Sequence, residues 1–245
     1  AGEMQVWSFS ELQLVVDTAH ALGVPVVGHC RGAGSIKDCA RAGFDMILHA
    51  TYMDEEALEA VVEAKVPIVP TFTFQANLAD FGAQINASAD TQKIFQAEIE
   101  DSAVMLKRAY DAGVPLLCGT ESGFSLTPYG EWHYRELDVF VRELGLTPIE
   151  AIKCATSEAA RGLQLYGETG AIVEGQLADI LVVAADVSRD VTALGDPDNM
   201  RHVILNGVRI DLPPAASRLD PPGWRVSNYG SHILHWRDCQ PTSEK

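Results

Sequence analysis

The sequence predicts an α/β fold with parallel strands, and three observations predict it. Apolar runs of strand length alternate with amphipathic runs of helix length from about residue 10 to about residue 160, the pattern of repeated βα units. Three of the runs, GVPVVGHC, KVPIVPTF and GVPLLCGTE, open with Val-Pro and stay apolar until a polar group appears, as expected of strands covered on both faces. The helical segments between them are long enough for right-handed crossovers. Four βα units of barrel type are legible, and a complete (β/α)8 barrel needs eight.

Taken in order, Ser10 is expected to cap a helix that carries Leu12, Val15, Val16, Ala19 and Leu22 on one face, with Gly23 past its end. VPVVGHC reads as a strand, SIKDCARAG as a short helix closed by Gly43, and FDMILHA as the next strand. DEEALEAVVEAK is a helix with an acidic first turn. VPIVPTFTF reads as a strand, followed by a polar, alanine-rich stretch from Gln75 to Thr91 and a long helix from about Lys93 to Ala112. GVPLLCGTESG is the fourth strand. After an insertion around FSLTPYGEWHY come a helix near Arg135 to Leu144 and one capped by Thr147 with Pro148 in its first turn. Beyond about Gly167 short strands surround glycine turns, with Asn206-Gly207 as a hairpin signal. The expected division is therefore a barrel portion over 1–166, a β-rich segment over 167–212 and an irregular tail over 213–245.

A formal charge of −16 argues against a nucleic-acid partner, because phosphate binding needs clustered Lys and Arg. No apolar run reaches the roughly 20 residues of a membrane span, so no membrane partner is expected. Five cysteines without zinc-type spacing (Cys30, Cys39, Cys118, Cys154 and Cys239) suit reduced thiols and a cytoplasmic protein. Cys30 and Cys118 are read as packing. The opening AGEMQVWSFS has neither an initiator methionine nor a signal peptide, and is expected to follow an upstream segment.

His29 ends one strand, His49 ends the next and Glu121 ends the fourth. In a parallel barrel that end forms the site, because the βα loops shape a pocket there. The twenty positions between His29 and His49 are one strand-helix repeat, so the imidazoles would sit on neighbouring strands and could share one cation. Arg31 and Tyr52 follow the two histidines and are candidate substrate contacts. HILH near the C-terminus lacks the glutamate of a zincin helix and is read as coincidence.

VVGHCRGAGSIKDCARAGFDMILHATYMDEEALEAVVEAKVPIVPT, GVPLLCGTESG and GETGAIVEGQLADILVV together resemble the amidohydrolase superfamily. The likeness, over about Ser10 to Leu212, is to the branch related to imidazolonepropionase, prolidase-like dipeptidases and carbamate or urea hydrolases. It implies the second half of a TIM-type barrel (strands five to eight), part of a flanking β-sandwich, and then the tail. By motif His29 and His49 become metal ligands. The family's strand-eight aspartate, a ligand and general base, is replaced by Glu121, whose added methylene moves the carboxylate by about 1.5 Å, enough to matter for positioning. His133 matches a histidine that recurs after the strand-eight loop and is a substrate-contact candidate. The family's His-x-His and bridging lysine would precede residue 1. Asp45 and Glu55 are not substitutes by motif for the strand-eight aspartate.

The resemblance implies a metal-dependent hydrolase of a C–N bond (amide, dipeptide, carbamate or urea), using Zn²⁺ or another divalent metal, one ion or two in the complete protein. It implies a small-molecule substrate, a homo-oligomer, and an N-terminal half of the same protein or another chain to complete the barrel. The alternatives are a non-catalytic subunit with a binding or assembly role, and a lactonase or deaminase on the same scaffold.

Overall fold

The computed structural model describes residues 3–124, 126–211 and 233–240. The first helix, α1 (Phe9–Ala21), is capped by Ser8 rather than Ser10. Ser8 and Glu11 form a reciprocal capping box, with Glu11 accepting from the Ser8 amide at 2.8 Å, and the spacing of that pair fixes the start. Of the expected face only Leu12 and Val16 are buried, while Val15 and Leu22 are exposed.

Strand β1 (Val27–Gly32) runs directly into α2 (Ala33–Ala42), which ends at Gly43 in the left-handed conformation. Strand β2 (Met46–Tyr52) leads to α3 (Glu55–Ala64), where the Asp54 side chain accepts from the Ala57 amide at 2.9 Å. Strand β3 is only Ile68–Val69. The three strands form an open parallel sheet in the order β1-β2-β3.

Two expectations fail here for one reason. The strand expected over VPIVPTFTF stops at Val69, and the expected fourth strand is reduced to one parallel bridge from Ile68 to Leu116. Pro67 and Pro70 bracket Ile68–Val69 and have no N–H to give a ladder. The chain then turns through Thr71 and enters α4 (Thr73–Phe81), so the stretch read as strand and polar linker is largely helix.

Helix α5 (Ala89–Asp111) starts earlier than expected, capped by Ser88. Helices α6 (Tyr134–Arg142), α7 (Pro148–Ala155) and α8 (Ser157–Gly162) follow, α7 with the Thr147–Glu150 capping box. One core joins Ile47, Ile68 and Leu116 of the sheet to Ile36, Leu106 and Phe140 of the helices. A second antiparallel sheet has the order β4 (Ile180–Val183), β5 (Met200–Leu205), β6 (Val208–Ile210). Its hairpin turns on Asn206 (φ 49°) and Gly207 (φ 77°), the left-handed pair such a two-residue turn needs. The turn Val191–Gly195 packs on α6, with Val191 in the main core.

Within the expected irregular tail, residues 233–240 are described, with a short 3-10 turn at Trp236–Cys239. Ile233 and Leu234 are buried, and Leu234 joins Leu78, Ile85, Leu126 and Trp132 in a second apolar cluster. Trp132 Nε1–H donates to the Leu234 carbonyl at 3.0 Å. A polar composition hides this anchor because two apolar side chains suffice to make it. The remaining tail positions, His232 of HILH among them, lie outside the described residues.

Candidate metal centre

The register of β1 against β2 pairs His29 with Leu48 and Cys30 with His49. A regular ladder would send side chains one step apart to opposite faces. The imidazoles nevertheless meet: His49 Nε2 lies 2.9 Å from His29 Nδ1, with the rings edge to face at 4.3 Å between centroids. The alternation breaks because His49 (φ 72°) and Ala50 (φ 52°) have left-handed backbone inside a strand. Such residues cost about 1–3 kcal/mol each and persist only where their surroundings hold them. Thr71 (φ 57°) and Glu121 (φ 49°) share the feature, so half of the eight positive-φ non-glycine residues described cluster at these strand ends.

Glu121 completes a trio. Ligand atoms of His29, His49 and Glu121 all lie within 4.8 Å of one another. Metal–ligand bonds of about 2.0–2.2 Å in a tetrahedral site put neighbouring donors roughly 3.3–3.5 Å apart, a spacing that the 2.9 Å and 4.8 Å values bracket. Two imidazoles and one carboxylate are a donor set that suits a divalent cation such as zinc. His49 is buried, and burial, then the neighbouring His29 and Arg31, lowers its pKa to about 4. It is therefore a neutral imidazole near pH 7, the form that can bind a metal. His29 and Glu121 keep exposed surface, so solvent reaches the trio.

The other predicted residues stand around this trio. Arg31 and Tyr52 are tied together through Glu98 of α5: Arg31 Nη2 donates to Glu98 at 2.7 Å, and the Tyr52 hydroxyl donates to it at 2.5 Å. Gln75 of α4 also donates to Glu98, at 3.3 Å. His133 precedes α6, and its Nδ1 lies 3.2 Å from the Thr120 hydroxyl, next to Glu121 in the chain. Burial lowers its pKa. Asp45 accepts from the Val26 amide and faces His20 Nε2, and Glu55 pairs with Arg108, so both are engaged elsewhere.

The amidohydrolase family model matches residues 2–210. The chain belongs to the amidohydrolase family. It is 29% identical over 208 residues to an uncharacterised protein of Mycobacterium tuberculosis (strain H37Rv), a match covering 82% of this chain and 52% of that protein. It is 29% identical over 212 residues to ochratoxinase of Aspergillus niger, covering 82% of this chain and 41% of that enzyme. Among solved structures, a Xaa-Pro dipeptidase with methionine bound in its active site superposes with a TM-score of 0.72 at 27% identity, covering 86% of this chain and 50% of that one. The chain thus spans about half the length of the relatives it matches.

Three groups of this amidohydrolase chain at the site went unseen in the sequence. Thr71 bonds His49 Nδ1 through its hydroxyl. Glu136 of α6 has no exposed surface, accepts from the amides of Phe72 and Thr73 at 2.9 Å, and accepts from the Thr73 hydroxyl at 2.8 Å. Glu98 is the third. A glutamate in an amphipathic helix gives no local sign of an inward role, and these partners lie 23 to 67 positions away.

Proposed function

We propose that this chain supplies a divalent-metal site to a hydrolase of C–N bonds, with His29, His49 and Glu121 as the ligand set. The observation that carries this reading is the convergence of those three side chains from separate βα units. A bound Zn²⁺-type ion supplies Lewis acidity, lowering the pKa of water toward about 7 and polarising a scissile carbonyl. Glu121 has the chemistry to take a proton from water and pass it to the leaving nitrogen. His133, beside the Glu121 loop, and the Arg31–Tyr52 pair hold and orient the substrate, Arg31 by charge and Tyr52 by its hydroxyl. The dipeptidase and ochratoxinase relatives favour a small amide or dipeptide within this class.

The proposed architecture is the second half of a (β/α)8 barrel over 1–166 and part of a β-sandwich over 167–212. Its support is the succession of parallel strands and the half-length match to the relatives. Strand β1 lies at the sheet edge with Val27 exposed, whereas parallel strands are ordinarily covered. Further strands, from the same protein or another chain, would cover that edge and add ligands.

Metal analysis with His29→Ala and His49→Ala tests the site. Each variant should lose most of the bound metal and reduce amide hydrolysis by at least about 100-fold; retention of both by both variants would overturn the assignment. Glu121→Asp discriminates against a non-catalytic subunit. A catalytic carboxylate responds in turnover, whereas a structural one changes stability alone.

A further inference from the structure

The hydroxyl of Thr71 has one hydrogen, and the Pro70 carbonyl, which can only accept, lies 2.6 Å from Thr71 Oγ1. With its hydrogen on that carbonyl the same oxygen accepts from His49 Nδ1, which then carries the proton and leaves the lone pair of Nε2 on the side of His29 and Glu121. Thr71 does this from left-handed backbone that a β-branched residue adopts at a cost. The next two residues hold it there, because both carboxylate oxygens of Glu136 grip the Phe72 and Thr73 amides at the start of α4. Phe72 offers no side-chain cap of its own, so Glu136 acts as the cap from another helix. From these contacts we infer that Thr71, clamped by Glu136, is a positioning residue that sets the tautomer and ring orientation of His49, presenting Nε2 as the donor nitrogen. The inference deepens the proposed metal site and rests on that reading for its consequence, whereas the tautomer itself rests on the hydrogen bonds alone.

Two measurements separate the parts. Zinc affinity, by chelator competition with Zn²⁺ alone, is compared among the wild-type protein, Thr71→Val, Thr71→Ser and Glu136→Gln. Thr71→Val keeps shape and branching but removes the acceptor, and should weaken zinc binding about 10- to 100-fold, the usual range for a group that orients a ligand. Thr71→Ser restores the oxygen and should return affinity to within a few-fold of wild type. Glu136→Gln keeps bulk but replaces an acceptor by a donor facing N–H groups, and should fall between. The imidazole ¹⁵N shifts of metal-free protein give the second readout: His49 should be the Nδ1–H tautomer in wild type and Thr71→Ser, and a mixture in Thr71→Val. Wild-type protein that binds no zinc yet shows this tautomer change would sink the metal reading and keep the relay. Zinc binding with an Nε2–H tautomer, or with Thr71→Val equal to wild type in both readouts, would overturn the relay and leave the metal site standing. Variants that lose the folded amide spectrum are replaced by Thr71→Ser against wild type, where a mixed His49 tautomer in the serine protein would count against the relay.

Discussion

Glu136 shows how much one side chain settles. It is fully buried, and burial raises its pKa to about 7 in spite of the Phe72 and Thr73 donors that favour the charged form. A glutamate in the unfolded chain releases its proton near 4.5, so between about pH 4.5 and 7 the folded protein binds the extra proton. The stability this provides is complete below about 4.5 and is lost as pH rises through 7. In urea titrations, wild type should lose up to about 3 kcal/mol relative to Glu136→Gln between pH 4.5 and 7.5. A gap between the two that stays constant with pH would show that this carboxylate does not titrate in that window. At this scale the sequence revealed His29, His49 and Glu121, because their place at the ends of apolar runs is a local pattern. It concealed Glu98, Thr71 and Glu136, whose roles exist only once distant segments meet.

Some helix starts written in adjacent residues were legible, those at Thr147 and Asp54, whereas the caps Ser8 of α1 and Ser88 of α5 were passed over for later starts. The start of α4 was not legible, since its capping carboxylate lies 64 positions away. The fourth strand was overestimated because an apolar run signals burial without fixing hydrogen-bond partners. What holds its end in place is close approach: a Cβ on Gly119 would lie 2.5 Å from Val69 Cγ1 of β3. Gly119→Ala should therefore cost about 1–3 kcal/mol in thermal or urea unfolding, the usual penalty for overpacking. Adding Val69→Ala should recover much of that loss, as expected for two groups in contact. Equal stability of Gly119→Ala and wild type would show that this end of the strand sits farther from β3.

Over the whole molecule, segments far apart in sequence share cores. Val191 joins the main core beside α6, and Leu234 fills the cluster beneath Trp132. Leu234 is 1% exposed, so Leu234→Ala should destabilise by about 2–5 kcal/mol and shift tryptophan emission to the red. A loss below about 0.5 kcal/mol would mean that this segment does not support the cluster. Among the described residues no helix is long and apolar enough to cross a membrane. Apolar side chains such as Ile172 and Val208 are exposed in and beside the antiparallel sheet, as is Val27 on the edge strand.

By itself the sequence determined the alternation of strands and helices, the hairpin at Asn206-Gly207, the family resemblance and the three side chains of the trio. Each of these is carried by periodicity, turn chemistry or a motif of adjacent residues. Tertiary structure alone decided that His49 leaves the regular pleat to face His29, that the Thr71 hydroxyl meets His49 at Nδ1, and that Glu136 caps a helix from another element. Contacts of that kind depend on backbone conformations that local preferences oppose, so they form only where the packed surroundings outweigh the strain.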